Sequence, residues 1–203
     1  LTQLFQLAND SKYILKKFIK DFKKNPKSII NYNSTADSAK VLASIMEKNH
    51  ITLKGWAKWG LGIVTGDNKR HCRTDPNEGD VPVYKGSDIT KSGLKNPSLF
   101  ISDDLSQYQQ VAKREMYYAP EKIIYKFISS KIVCFHDTEQ RLVLNSANIF
   151  IPNEEFPISM KVIADYLTSD FMNWVFSEIF RTHKVLRGDL EQLPIYHEPL
   201  SKM

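Results

Sequence analysis

The periodicity of apolar residues changes twice along this chain, and these changes limit the folds it can adopt. Residues 10–24 and 35–48 carry apolar side chains at helical spacing. Residues 51–152 consist of short apolar runs separated by segments rich in Gly, Pro, Asp and Asn. Helical spacing returns after Pro157. The pattern predicts an α+β fold with a β-rich centre and C-terminal helices.

The β-rich centre contains seven candidate strands, at residues 61–65, 81–84, 99–101, 123–128, 131–136, 142–144 and 148–151. Ser129 and Ser130 are predicted to form a tight turn between two of them. After the centre, helices are predicted at 160–167 and 171–179, with a cap at residues 168–170 between them. We expect residues 1–50 to be a helical linker or the tail of a preceding domain. Because the chain begins at Leu1, we infer a piece of a longer protein.

Composition narrows the classes of partner. Lys and Arg number 28 and Asp and Glu 23, a net charge of +5, which suits nucleic acid or another anionic surface. Two cysteines do not form a disulfide framework, so a cytoplasmic location is predicted. No apolar run approaches the roughly 18 residues of a membrane span, so no membrane partner is expected.

Common catalytic signatures are missing from the sequence. It contains no phosphate-binding loop ending in Lys-Ser/Thr, no dinucleotide fingerprint and no Gly-x-Ser-x-Gly elbow. It also lacks the Asn-Pro-Pro-aromatic motif of amino-methyltransferases. We therefore predict no catalytic residue and no cofactor for this chain.

One alternative is a small metal-dependent enzyme. Cys134 and His136 are two residues apart, so in a strand they share a face and could bind one ion, with His71 and Cys72 completing the ligand set. The paired Cys-x-x-Cys spacing typical of zinc sites is missing. The competing interpretation is that Cys134 is a small buried apolar residue.

Residues 59–70, with the sequence WGLGIVTGDNKR, are predicted to form an apolar strand that enters a glycine-containing loop ending in two cations. Thr65, Asn68, Lys69, Arg70, His71 and Arg73 are expected on or beside an exposed tip. Such a tip offers hydroxyl, amide and guanidinium groups to a polyanion or to base edges. An ordinary hairpin with solvated charges is the alternative.

Further basic and amide side chains fall in the other predicted loops: Lys85, Lys91, Lys95, Gln107, Gln109, Gln110, Lys113, Arg114, Arg181, Lys184 and Arg187. Lys and Arg neutralise phosphates, while Asn, Gln and Arg can read base edges. Three tyrosines among them, Tyr108, Tyr117 and Tyr118, could pack on sugars or stack on an exposed base.

Several blocks of the sequence resemble, in order, the TaqI-like C-terminal specificity domains of type II and IIG restriction–modification enzymes and N6-adenine DNA methyltransferases. The run GIVTGDNK at 62–69 resembles the Gly-Ile-x-Thr-Gly-x-Asn-Lys opening of the family. VPVYKGSDI at 81–89, EKIIYKF at 121–127, LVLNS at 142–146 and IFIP at 149–152 are similar to its next blocks. KVLR at 184–187 and LEQLPI at 190–195 resemble its closing turn. At 168 a Thr stands where the family usually has Asn.

The resemblance implies a DNA target-recognition domain over residues 51–203 whose partners are double-stranded DNA and the catalytic domain of the same parent chain. S-adenosylmethionine, and Mg²⁺ in a parent that also cuts DNA, belong to missing parts of that parent. Asn68, Arg70 and Arg73 are then expected at base edges, and Lys69, Lys85, Lys113, Lys184 and Arg187 at phosphates. The full set of candidate DNA-binding residues is Thr65, Asn68, Lys69, Arg70, His71, Arg73, Lys85, Gln109, Lys113, Arg114, Lys184 and Arg187.

A protein-interaction module is the second alternative. The apolar helix predicted at 171–180 and the amphipathic helix near the start could dock a partner without any DNA specificity.

Overall fold

Nine strands and six α-helices make up the part of the chain that a computed structural model describes, residues 35–180 and 182–196. The helices are α1 (Ala36–Glu47), α2 (Asn68–His71), α3 (Arg114–Tyr117), α4 (Met160–Thr168), α5 (Asp170–Ile179) and α6 (Arg187–Leu190). The strands are β1 (Ala57–Leu61), β2 (Asp80–Tyr84), β3 (Ile89–Thr90), β4 (Gly93–Leu94), β5 (Leu99–Ser102), β6 (Lys122–Lys126), β7 (Cys134–Asp137), β8 (Leu142–Val143) and β9 (Ala147–Pro152). The helix predicted at 10–24 lies outside the described residues. The α+β class is confirmed.

A four-stranded antiparallel sheet with the order β1-β9-β6-β7 forms the centre of the fold. Its register pairs Phe150 of β9 with Trp59 on one side and Ile123 on the other. β6 and β7 form the predicted hairpin, with Tyr125 opposite Cys134, but residues 127–133 join them as a longer loop in place of the tight turn predicted at Ser129 and Ser130. Because successive residues of a strand point to opposite faces, the register assigns every side chain of the sheet to one of two faces, and each face borders a core.

The first core lies between this sheet and helices α1, α4 and α5. Ile123, Tyr125 and Phe150 point from the sheet into it, and Ile163 and Phe176 meet them from α4 and α5. The α5 face that was considered for partner docking is buried here, with Met172, Val175 and Phe176 at 0% exposure. The interaction-module interpretation of α5 is therefore wrong.

The second core lies on the opposite face of the sheet, under a small three-stranded sheet with the order β5-β2-β8. β2 pairs antiparallel with β5 and parallel with β8. Ile124 and Ile149 point into this core from the central sheet, and Val83 and Ile101 from the small one. The small sheet fixes the positions of the loops that leave β1 and β5.

Helix α1 falls within the segment predicted as a linker, yet it packs into the first core. Thr35 caps it, with the Oγ1 atom accepting from Ser38 N at 3.1 Å. Leu42 and Ile45 are buried in the first core, and Ile51 and Ile195 exchange backbone hydrogen bonds of 2.9 and 2.8 Å. The described part of residues 1–50 is therefore packed against the rest of the fold. The division of the chain at residue 50 stays a prediction.

The strand predicted at 61–65 is wrong in its bounds, because β1 ends at Leu61. A Cβ atom on Gly62 would lie 2.3 Å from the carbonyl oxygens of Leu144 and Ala147, so the chain passes too close to other backbone for any side chain. Ile63 and Val64 then make only isolated bridges, to Leu144 and Gln110. The other predicted strands and the helices at 35–48, 160–167 and 171–179 are confirmed, with ends that shift by up to three residues.

None of the helices in the described residues is long and apolar enough to cross a membrane.

Candidate nucleic-acid interface

The loop that follows β1 contains the one-turn helix α2, which is held by its capping residue. The carboxylate of Asp67 accepts hydrogen bonds from the backbone N–H groups of Lys69 at 3.0 Å and Arg70 at 3.2 Å. The side chains of Lys69 and Arg70 are exposed on this turn. The loop therefore presents two adjacent cations from a hydrogen-bonded backbone.

Thr65 does not lie at the exposed tip. It is 5% exposed, and its hydroxyl donates to Oδ1 of Asn68 at 2.6 Å. The expectation that Thr65 offers a free hydroxyl is wrong, because the turn folds over it. Asn68 itself is exposed and is oriented by this bond.

Arg73 closes the other end of the same loop. Its backbone exchanges two hydrogen bonds with Phe100, of 2.9 and 2.8 Å, so the loop is attached to β5. Its guanidinium pairs with Asp80 at 3.1 Å. Arg73 is thus an anchor of the loop, and its prediction as a base contact has less geometric support than that of Arg70.

A second loop, at 103–113, lies beside the first. Val64 and Gln110 exchange backbone hydrogen bonds of 2.9 and 3.1 Å. The ring of His71 meets Tyr108 edge to face, with 5.4 Å between ring centroids. A Cβ atom on Gly66 would lie 3.3 Å from the Cβ of Gln109. The two loops therefore place the exposed Gln109 next to the turn that carries Lys69 and Arg70.

Arg114 is paired where the second loop meets α3. Its Nη2 donates to Asp103 at 2.7 Å, and its Cζ lies 4.4 Å from the centroid of the Tyr118 ring. The neighbouring Lys113 has a side chain that is 83% exposed. Its ion pair with Glu115 is long, at 3.9 Å, and exposed, so Lys113 is held less firmly than Arg114 and is the better placed of the two for a phosphate contact.

The three tyrosines considered for base stacking have other roles. Tyr108 is 7% exposed and donates to the carbonyl of Ser102 at 2.7 Å, and Tyr117 is 0% exposed and donates to that of Leu61 at 2.8 Å. Tyr118 lies under Arg114. The prediction that Tyr108 or Tyr117 stacks on a base is wrong, because both rings are buried in the second core.

Lys85 lies close to the first loop. Burial raises the pKa of the Cys72 thiol, and the charges of Lys85 and Arg73 oppose that rise. The charge of Lys85 thus acts on Cys72, which directly follows α2.

Lys184 and Arg187 form a separate group. Lys184 pairs with Ile128, just beyond the end of β6, and Arg187 lies with its Cζ 5.7 Å from the centroid of a Trp59 ring. β1 and β6 both run antiparallel to β9, so they end at the same end of the sheet. This group is at the end of the sheet from which the loop carrying α2 departs.

The structure does not bring together the four residues of the metal interpretation. The strand pairing places Cys134 and His136 on the helix-facing side of the sheet, whereas Cys72 packs into the second core. Burial raises the pKa of the Cys134 thiol to about 12, and His136 shares a hydrogen bond with Glu121. No group of three or more potential ligands occurs among residues 35–180 and 182–196.

Sequence reasoning missed the acids that arrange these cations. Asp67 had a detectable signal, because Asp is a preferred N-cap and precedes a short polar turn. The pairing of Asp80 with Arg73 and of Asp103 with Arg114 depends on how β2, β5 and the second loop pack, and has no local signal.

Comparison with known proteins identifies the family. A family model described as the TaqI-like C-terminal specificity domain matches residues 81–195. The chain belongs to this family. The resemblance inferred from the ordered sequence blocks is thus confirmed.

One relative of known sequence and one solved structure share similarity with this TaqI-like domain. The type II methyltransferase M.VspI of Vibrio sp. (strain 343) is 51% identical over 72 residues, which is 36% of this chain and 18% of the methyltransferase. The chain thus matches less than a fifth of that relative. The crystal structure of the HsdS subunit from Thermoanaerobacter tengcongensis superposes with a TM-score of 0.45 at 11% identity, over 96% of this chain and 42% of that one.

The matched segment of this TaqI-like domain contains some of the candidate residues and omits others. Lys85, Gln109, Lys113, Arg114, Lys184 and Arg187 fall within it. The loop carrying α2 precedes it. This loop is therefore assigned from its geometry and from its opening sequence block.

Proposed function

We propose that this specificity domain recognises a short sequence in duplex DNA on behalf of a larger restriction–modification enzyme. The observation that carries the proposal is the turn capped by Asp67, which holds the exposed Lys69 and Arg70 beside Gln109. A preorganised turn loses little conformational entropy when it enters a groove.

The chemistry of this turn suits the major groove. An Arg side chain can donate two hydrogen bonds to O6 and N7 of guanine, and a Gln side chain can bond N6 and N7 of adenine. We assign base reading to Arg70 and Gln109, with Asn68 beside them. Lys69, Lys85, Lys113, Lys184 and Arg187 are assigned to phosphates, which set register without reading sequence.

Four other candidates are assigned to positioning. Thr65 orients Asn68, and His71 packs on Tyr108. Arg73 and Arg114 pair with acids of neighbouring loops. Their removal should weaken binding through the shape of the loops.

The parent enzyme we propose is a cytoplasmic adenine-N6 methyltransferase, with or without a fused endonuclease. Its catalytic domain would bind S-adenosylmethionine, and Mg²⁺ if it also cuts DNA. The present chain would select the site and take no part in the chemical step. The similarity to a type II methyltransferase over 72 residues supports this parent.

The test is selection from a pool of randomised duplexes at several salt concentrations, followed by sequencing of the bound fraction. We expect one enriched short motif and a log affinity that falls linearly with log salt. Lys69→Ala/Arg70→Ala should lose the enrichment. Lys40→Ala/Lys48→Ala is the matched control, because it removes two exposed cations at α1 and its C-cap. A bound pool with no enriched motif contradicts the proposal.

A further inference from the structure

Two large aliphatic side chains are exposed together at one end of the central sheet. Ile128 is 50% exposed and lies opposite Lys184 in an antiparallel bridge. Leu186, which is 44% exposed, follows Lys184 by two residues in extended backbone. Opposite and alternate residues of an antiparallel pair share a face, so Ile128, Lys184 and Leu186 form one surface.

This surface is held in place from beneath. Val185, between Lys184 and Leu186, is 0% exposed, and its N–H donates to the carbonyl of Phe127 at 2.9 Å. The N–H of Phe127 donates to the carbonyl of Ser146, also at 2.9 Å. The two aliphatic side chains therefore project from backbone that is attached to the core.

Cations flank the aliphatic pair. The Nζ atom of Lys184 lies 5.7 Å from the centroid of the Phe127 ring, and the side chain of Arg187 is 61% exposed above Trp59. Glu191 pairs with Arg187 at 2.9 Å. An apolar surface with flanking cations suits a partner that combines negative charge with apolar faces, as duplex DNA does in its phosphates and stacked bases.

The position of the surface is continuous with the proposed recognition loops. β1 and β6 end at the same end of the sheet, the loop with α2 follows β1, and the aliphatic pair follows β6. The loop with α2 and the aliphatic pair therefore lie at the same end of the central sheet.

We propose that Ile128 and Leu186 form an apolar wedge that inserts at a base step of the bound duplex, while Lys184 and Arg187 bind the flanking phosphates. The inference rests on the proposed DNA-recognition function. It adds a contact whose strength depends on how easily the DNA sequence deforms. A wedge favours pyrimidine–purine steps, which unstack most easily, at positions where no hydrogen bond reads the base.

The test uses the 203-residue chain and the duplex enriched in the selection, with 2-aminopurine placed at successive positions. The unchanged chain should raise the fluorescence at one step, where the base unstacks. Ile128→Ser/Leu186→Ser should abolish that rise and weaken binding by about tenfold. Val41→Ser/Val162→Ser is the matched control, since it removes two exposed aliphatic side chains from α1 and α4 and should change neither readout.

The outcomes separate the wedge from the recognition function. Selective binding with no fluorescence rise at any position overturns the wedge and leaves recognition intact. The same holds if the Ile128→Ser/Leu186→Ser variant keeps both the rise and the affinity. No selective binding by the unchanged chain overturns both. The melting temperature of the Ile128→Ser/Leu186→Ser variant is measured as well. If it stays within a few degrees of that of the unchanged chain, the weaker binding does not come from unfolding.

Discussion

The Nη1 atom of Arg73 donates to both carboxylate oxygens of Asp80, at 3.2 and 3.1 Å. Asp80 also accepts from the backbone N–H of Asn77 at 2.9 Å, and its side chain is only 6% exposed. The pair joins the end of the loop carrying α2 to the start of β2. Two arginines three residues apart in the sequence thus have different environments, since Arg70 is exposed on the turn.

Arg70→Ala and Arg73→Ala should therefore affect different properties of the protein. Loss of Arg70 should weaken binding to the selected duplex by about 1–3 kcal/mol and relax specificity at one base pair, with stability unchanged. Loss of Arg73 leaves Asp80 without its cation and should lower the free energy of unfolding by about 1–3 kcal/mol. Urea denaturation and competition binding with single-base variants measure the two effects. If Arg70→Ala weakens binding equally on all DNA sequences, Arg70 contacts a phosphate and not a base.

Asp67→Ala should weaken DNA binding although Asp67 carries a charge that repels phosphate. The substitution removes the acceptor for two N–H groups of α2, at a cost of about 1 kcal/mol, or about fivefold in affinity. Asp67→Asn is the control, because Asn also caps helices and removes the same charge. If Asp67→Ala binds more tightly, electrostatic repulsion outweighs the ordering of the turn.

Gly62→Ala should strongly destabilise the fold. The new Cβ atom would meet two carbonyl oxygens at 2.3 Å, so backbone must move, and we expect a loss of at least about 3 kcal/mol in urea denaturation. Gly79→Ala serves for comparison. Gly79 has a φ of +81° with nothing within 4 Å of the added atom, so only the backbone conformation costs energy, about 1–2 kcal/mol. Similar losses in the two variants would contradict the close approach at Gly62.

Lys122→Met should be among the most destabilising changes in the β6–β7 hairpin. Lys122 and Asp137 are opposite each other across the strands, both 0% exposed, and form an ion pair to which Arg141 adds a hydrogen bond of 2.8 Å. Removing the lysine leaves a buried carboxylate with one cation fewer, which costs about 3–5 kcal/mol. Lys126→Met, at the other end of β6, removes a partly exposed lysine and should cost much less.

The same cluster should make stability fall in acid. Burial raises the pKa of the Asp137 carboxyl, but hydrogen bonds and charge from Lys122 and Arg141 together hold it below its ordinary value of 3.8. The stabilisation is therefore fully present above that value and is lost as the pH falls through the lower pKa of the folded state. Asp137→Asn should flatten this dependence in urea denaturation between pH 2 and 5. An unchanged acid profile would assign the effect to other carboxyls.

The sequence predicted the order of the long helices and most strands, because that order depends on the local periodicity of apolar residues. The hairpin of β6 and β7, the cap before α5 and the apolar stripe of α5 follow from alternation, a capping residue and helical spacing. The α5 stripe was considered for a partner, and only the fold shows that it is buried in the first core, against α1 and α4. The bounds of β1 failed, because the contact between Gly62 and the backbone near Leu144 joins distant parts of the chain.

The sequence by itself determined the family, the types of element and the set of candidate polar groups, since these depend on residue identity and short-range order. Only the tertiary structure decided which cations are free. Arg73 and Arg114 meet acids brought to them by packing, whereas Arg70 is presented on a turn capped by its own neighbour. The physical reason is that ion pairing and burial depend on distances in space, which sequence separation does not encode.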